Sequence, residues 1–125
     1  MAHYEIDISE FDPLTKGVLN AALMHARQHR ETRTHTLQLQ DFYQLAGLTG
    51  EVYVDNFMGL VCEVMKAVVC SPDYEEGSLR CWPVFDSIMV TKNRFEFVVN
   101  PNGLDAVEFP LRPDQVKAMM GAAPN

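Results

Sequence analysis

The chain is poor in positive charge. Ten lysines and arginines stand against seventeen aspartates and glutamates, a formal charge of −7. Nucleic-acid binding draws on cations that neutralise phosphates. Nonspecific DNA affinity should therefore be poor unless the basic groups gather on one face. Long apolar runs are missing too. None approaches the roughly 20 residues that span a bilayer, and the acidic start "MAHYEIDISEFDP" has no apolar export core. Cysteine is scarce: three residues, an odd number without CxxC, fit reduced thiols better than a disulfide framework. The expected setting is cytoplasmic, with no membrane partner. A Gly-rich phosphate cradle, GxSxG, HExxH and a paired-carboxylate motif are all absent. The chain is therefore expected to be non-enzymatic and to need no cofactor.

What is present suits one globular unit. A hydrophobic share of 47% in 125 residues can build a single core without staples. No repeat, low-complexity tract or internal linker divides residues 1–125, so one domain is expected. Residues 1–11 form a short strand or an arm, with Tyr4, Ile6 and Ile8 alternating with charge. Asp12 is a good N-cap and Pro13 suits the first helical position. Leu14, Val18, Leu19, Ala22, Leu23 and Ala26 then keep helical spacing over residues 13–29. Gly17 either weakens this helix or admits a close neighbour.

After the polar connector "RETRTH", "THTLQL" suits a short strand and residues 40–46 a second helix that Gly47 ends. Thr49 is placed to cap a third helix running to about residue 70, with an apolar face of Val52, Tyr53, Phe57, Leu60, Val61, Val64, Met65 and Val68. "SPDYEEGS" breaks the pattern as a loop. "LRCWPVFDSIMV" and "RFEFVVN" are β-branched and aromatic, with the turn "TKN" between them. Phe95, Phe97 and Val99 share one face of that hairpin. "NPNG" stops it, "LDAVEFPL" can add an extended piece, and Pro113 opens a last short helix. Helix, short strand, helix-turn-helix and hairpin make an α+β fold, specifically a winged helix.

Three stretches carry a resemblance: "LTKGVLNAALMHARQ", "LQLQDFYQLAGLTGEVYVDNFMGLVCEVMKAVV" and "LRCWPVFDSIMVTKNRFEFVVNPNGLDAVEFPL". Together they resemble the first winged-helix domain of plasmid replication initiator (Rep) proteins. The resemblance implies a module that pairs subunits and touches DNA mainly through its backbone, in replication control or transcription. It also implies that the family's second, sequence-reading winged helix is absent from a chain ending at Asn125. Helix three departs from the pattern. Over residues 40–76, Asp41, Glu51, Asp55, Glu63, Asp73, Glu75 and Glu76 face Lys66 alone, seven minus one, which argues against groove reading by that helix.

Candidate contacts follow from charge and exposure. Lys92 and Arg94 flank the tip of the wing and Arg80 precedes them, so these are the first DNA-contact candidates. Charge on an exposed hairpin can equally serve to discourage edge pairing. Arg27, Arg30 and Arg33, with His25, His29 and His35, make the densest basic cluster. It can contact phosphate, or it can simply complement the dipole at a helix end. His25 and His29 lie at ligand spacing, but nothing local completes a tetrahedral set, so no metal is expected. Cys62 and Cys70, eight apart on helix three, and Cys81 suit small core hydrophobes. Trp82, Phe85, Phe95 and Phe97 exceed what so small a domain should bury, which marks them as the candidate interface of a homodimer. The alternative is a protein-interaction module on the same scaffold, without DNA.

Overall fold

A computed structural model describes residues 3–48, 57–73 and 75–108. In chain order the elements are β1 (Glu5–Ile6), α1 (Pro13–Gln28), β2 (Thr34–Gln38), α2 (Leu39–Leu45), α3 (Phe57–Val64), β3 (Val68–Asp73), β4 (Ser78–Pro83), β5 (Phe85–Val90), β6 (Arg94–Val99), α4 (Pro101–Leu104) and β7 (Val107–Glu108). They form an α+β fold with two sheets. One runs β4-β3-β1-β7 and the other β2-β6-β5. All pairings are antiparallel except β1 with β7.

Helix α1 begins where its capping chemistry sits. The Asp12 Oδ1 accepts from the Thr15 N–H at 2.8 Å, and that contact holds the carboxyl below its ordinary range. Its buried stripe is Val18, Leu19, Ala22, Leu23 and Ala26, while Leu14, expected to share it, lies in the first turn and is 40% exposed. Gly17 does admit a close neighbour: a Cβ there would meet the Ala46 carbonyl oxygen at 3.0 Å, so α1 and the end of α2 touch backbone to backbone. Gly47 sits at φ 75°, a left-handed conformation that glycine adopts freely, and turns the chain out of α2.

The core is aromatic at its centre. Phe42 of α2 stacks on Phe95 of β6 at 4.1 Å between ring centres, and Phe57 of α3 meets the same ring edge-on at 5.6 Å. Phe85 and Phe97 complete the group at 6.0 Å. Phe95, Phe97 and Val99 do share the buried face of β6, as their alternation predicts.

Three expectations fail. Helix three does not reach residue 70: α3 closes at Val64, and Val68–Asp73 leaves as β3. The β-branched pair Val68 and Val69 suits a strand, and β3 finds ladder partners on both sides, β4 and β1. "LRCWPVFDSIMV" is two strands, not one. Pro83 ends β4, the Val84 N–H donates to the Ala67 carbonyl at 3.0 Å, and β5 joins the other sheet. "SPDYEEGS" is mostly the end of β3 and the turn into β4, with Gly77 at φ 73°. Asn100 does stop the hairpin, but it caps α4. The expected Thr49 cap, the start of helix three with Val52 and Tyr53, and the helix opened by Pro113 lie outside the described residues.

Candidate nucleic-acid interface

The tip of the β5–β6 hairpin is held in three ways. The Thr91 N–H donates to the Arg94 carbonyl at 2.9 Å, and the Arg94 N–H donates to the Thr91 Oγ1 at 3.0 Å. The Leu39 N–H, an orphan donor at the start of α2, donates to the Asn93 carbonyl at 2.9 Å. That last bond docks the hairpin tip against the β2–α2 junction.

Two adjoining hollows flank the junction. One, of about 530 Å³, is lined by Gln38, Leu39, Gln40, Tyr43, Lys92 and Asn93. The other, of about 450 Å³, is lined by Thr36, Leu37, Gln38, Thr91, Asn93 and Arg94. They share Gln38 and Asn93, and among the described residues no carboxylate lines either. Lys92 and Arg94 are exposed and, among the described residues, neither makes an ion pair. Amide and hydroxyl groups beside these two cations suit an extended anionic backbone, and Tyr43 adds a ring whose hydroxyl is pushed above its ordinary range by burial.

The other basic candidates lie elsewhere. Arg80 is exposed on β4, in the other sheet, and lines neither hollow. The arginines of the helix-end cluster are already partnered. Arg27 donates to the Leu104 carbonyl at 2.9 Å and the Ala106 carbonyl at 3.2 Å. Arg30 pairs with Asp105 at 3.0 Å, and Arg33 pairs with Asp86. These three arginines fasten α1 and the segment after it to the end of the described chain and to β5.

The histidines meet one another tilted or edge-on. His25 lies 4.5 Å from His29 and 5.3 Å from His35 between ring centres, and His35 stacks on Phe97 at 5.1 Å. Burial, then the neighbouring rings, hold His25 and His35 below the ordinary imidazole range. The His35 Nδ1 is buried with no hydrogen-bond partner among the described residues. Among the described residues, no group of three or more His, Cys, Asp or Glu is placed to hold a metal.

The interface candidates need correcting. Phe85, Phe95 and Phe97 are at most 1% exposed within one chain, so they have no surface to offer a second copy. The expectation undercounted the space between the β2-β6-β5 sheet and the helices, which takes all three rings. Trp82 is half-buried and meets Tyr4 edge-on at 6.0 Å. Cys70 stands on β3, not helix three, while Cys62 and Cys81 are exposed and fill no core position.

Sequence reasoning passed over Gln38, Gln40 and Tyr43. Their signal was the amide-rich run "TLQLQDFYQ", which gains meaning only once the hairpin tip lies against it. Among the described residues no helix is long and apolar enough to cross a membrane. Comparison of the chain with known protein families, with curated proteins and with solved structures finds no match.

Proposed function

We propose that the chain is a winged-helix domain of the replication-initiator kind, which contacts the backbone of duplex DNA through the β5–β6 hairpin, in replication control or transcription. The order α1, β2, α2, α3, then β5 and β6 with β6 between β2 and β5, supports the fold assignment. The β3–β4 hairpin is an insertion between helix three and the wing. One observation carries the functional reading: Lys92 and Arg94, unpaired among the described residues, each line one of two adjoining hollows whose described lining holds amides and hydroxyls and no carboxylate. The described part of α3 speaks against groove reading by that helix, since its charged residue is Glu63 and the cation beyond its end, Lys66, pairs with that carboxylate at 2.9 Å. Contact through phosphates carries no sequence information by itself. Fluorescence anisotropy with random duplex DNA at low salt should show binding that falls steeply as salt rises. No binding at micromolar protein sinks this reading.

The second reading is a protein-interaction module, self-pairing included. Leu45 and Met58 are each 58% exposed and Met24 is 49% exposed, leaving apolar surface on three helices. Light scattering coupled to size exclusion tests pairing: a monomer mass at every concentration removes the homodimer.

A further inference from the structure

We propose that Cys70 and Cys81 form a redox-active dithiol, closed to an intrachain disulfide by a low-molecular-weight disulfide such as glutathione disulfide, with the Glu5 carboxylate accepting the proton of Cys70.

The two cysteines are register partners on β3 and β4, and their sulfurs lie 2.6 Å apart. Directly opposed residues of an antiparallel pair hold their Cα atoms about 4.5–5.5 Å apart. That falls inside the roughly 4.4–6.8 Å window of disulfides. Bond formation therefore asks little of the backbone.

The third member comes from β1. Glu5 is the register partner of Cys70 on its other side, so Cys81, Cys70 and Glu5 make one row across the sheet, on one face. Glu5 is 4% exposed. Its Oε1 meets the His3 Nε2 at 3.0 Å, while its Oε2 is buried without a hydrogen-bond partner among the described residues. An unpartnered buried acceptor is costly unless something uses it.

The two thiols differ in access. Cys81 is exposed, so an external disulfide can reach it. Cys70 is buried. Desolvation first, then the hydrogen bond and charge of Cys81 and the negative charges of Glu5 and Asp7, push its thiol up to about 12. It needs a base at the moment of attack.

The steps balance. Cys81 loses its proton to water and its thiolate attacks one sulfur of glutathione disulfide. That S–S bond breaks, and the departing glutathione thiolate takes a proton from water. Cys70 then attacks the Cys81 sulfur of the mixed disulfide and passes its proton to the Glu5 Oε2. The second glutathione thiolate leaves, and the proton held on the Glu5 Oε2 passes to it through water, which restores the carboxylate. The protein has lost two protons and two electrons, and glutathione disulfide has become two glutathiones. The product staples β3 to β4. Cys62, exposed on α3, is the built-in control for a thiol outside the row.

The full chain in millimolar glutathione disulfide, acid-quenched and peptide-mapped by mass spectrometry, tests this. A Cys70–Cys81 cross-link is expected, with Cys62 stopping at bound glutathione. Cys70→Ser should trap glutathione on Cys81, and Cys81→Ser should leave Cys70 reduced. Glu5→Gln should slow ring closure at least about tenfold while leaving the first step unchanged. Should that variant fail to fold, the pH profile of the second step in the natural chain decides. With Glu5 as acceptor the rate is flat over about pH 7–9, and with hydroxide as acceptor it climbs about tenfold per unit. A natural chain that keeps glutathione on Cys81 beside a reduced Cys70 overturns the dithiol, and a climbing profile overturns the role of Glu5.

Discussion

Arg27, Arg30 and Arg33 lie at and beyond the end of α1, while Lys92 and Arg94 flank the tip of the β5–β6 hairpin, and the two groups of cations differ in what surrounds them. The first group meets the carbonyls of Leu104 and Ala106 and the carboxylates of Asp105 and Asp86. The second faces amides and hydroxyls that cannot neutralise it. In a chain of formal charge −7, cations are spent readily, and those left unspent are the informative ones. Density of basic residues along the sequence is therefore a poor guide to a phosphate-binding surface here.

Arg27→Ala should break the first region most. It deletes charge-assisted bonds to two carbonyls at separations of 77 and 79 residues. Such bonds are worth about 1.5–3 kcal/mol each in net stability, with partial recovery as water reaches the carbonyls. A loss of about 2–3 kcal/mol is expected in urea unfolding. DNA affinity of the folded protein should not change. If affinity fell and stability held, the contrast between the regions would be reversed.

Lys92→Ala with Arg94→Ala should do the opposite. The logarithmic salt slope of DNA binding should drop by about 2, close to 0.9 per cation. Stability should stay within about 0.5 kcal/mol, since both side chains are exposed and unpaired. An unchanged salt slope would remove the hairpin tip from the interface.

The histidines beside the first region add a pH dependence. His25 and His35 titrate below the ordinary 6.5 in the folded chain, chiefly through burial. As pH falls through about 6.5 the unfolded chain takes up these protons first, so stability drops. The loss stops once pH passes below the folded-state values. Thermal unfolding from about pH 8 to 5 should show it, and His35→Phe, which keeps the stack on Phe97, should flatten the curve. An identical curve in that variant would mean other groups carry the acid sensitivity.

Arg30→Ala and Arg33→Ala should have the smallest effects. Both ion pairs are exposed, so each variant should cost no more than about 1 kcal/mol. Neither should move the salt slope of DNA binding.

Much of the fold was legible because it depends on neighbours in sequence. The Asp12 cap, the α1 stripe from Val18 to Ala26, the Gly47 exit and the alternation of Phe95, Phe97 and Val99 are all local patterns, and all stand; only Leu14 drops out of the stripe, at 40% exposed. The misreadings lie where a distant partner outweighed local pattern. Residues 68–70 continue an apolar helix on paper, yet β1 and β4 offer them a ladder on each side. Phe85, Phe95 and Phe97 looked surplus because the depth of a core cannot be read from a list of apolar residues.

Charge and composition, caps, glycine turns and strand alternation are properties of residues and their near neighbours, so the sequence by itself determined the α+β class, most of its elements and the shortage of cations. Tertiary structure decided which cations remain free, which rings are buried, and that Cys81, Cys70 and Glu5 share a row across three strands. The reason is physical: ion pairing, burial and cross-strand register depend on groups far apart in the chain, and only the closed fold sets those distances.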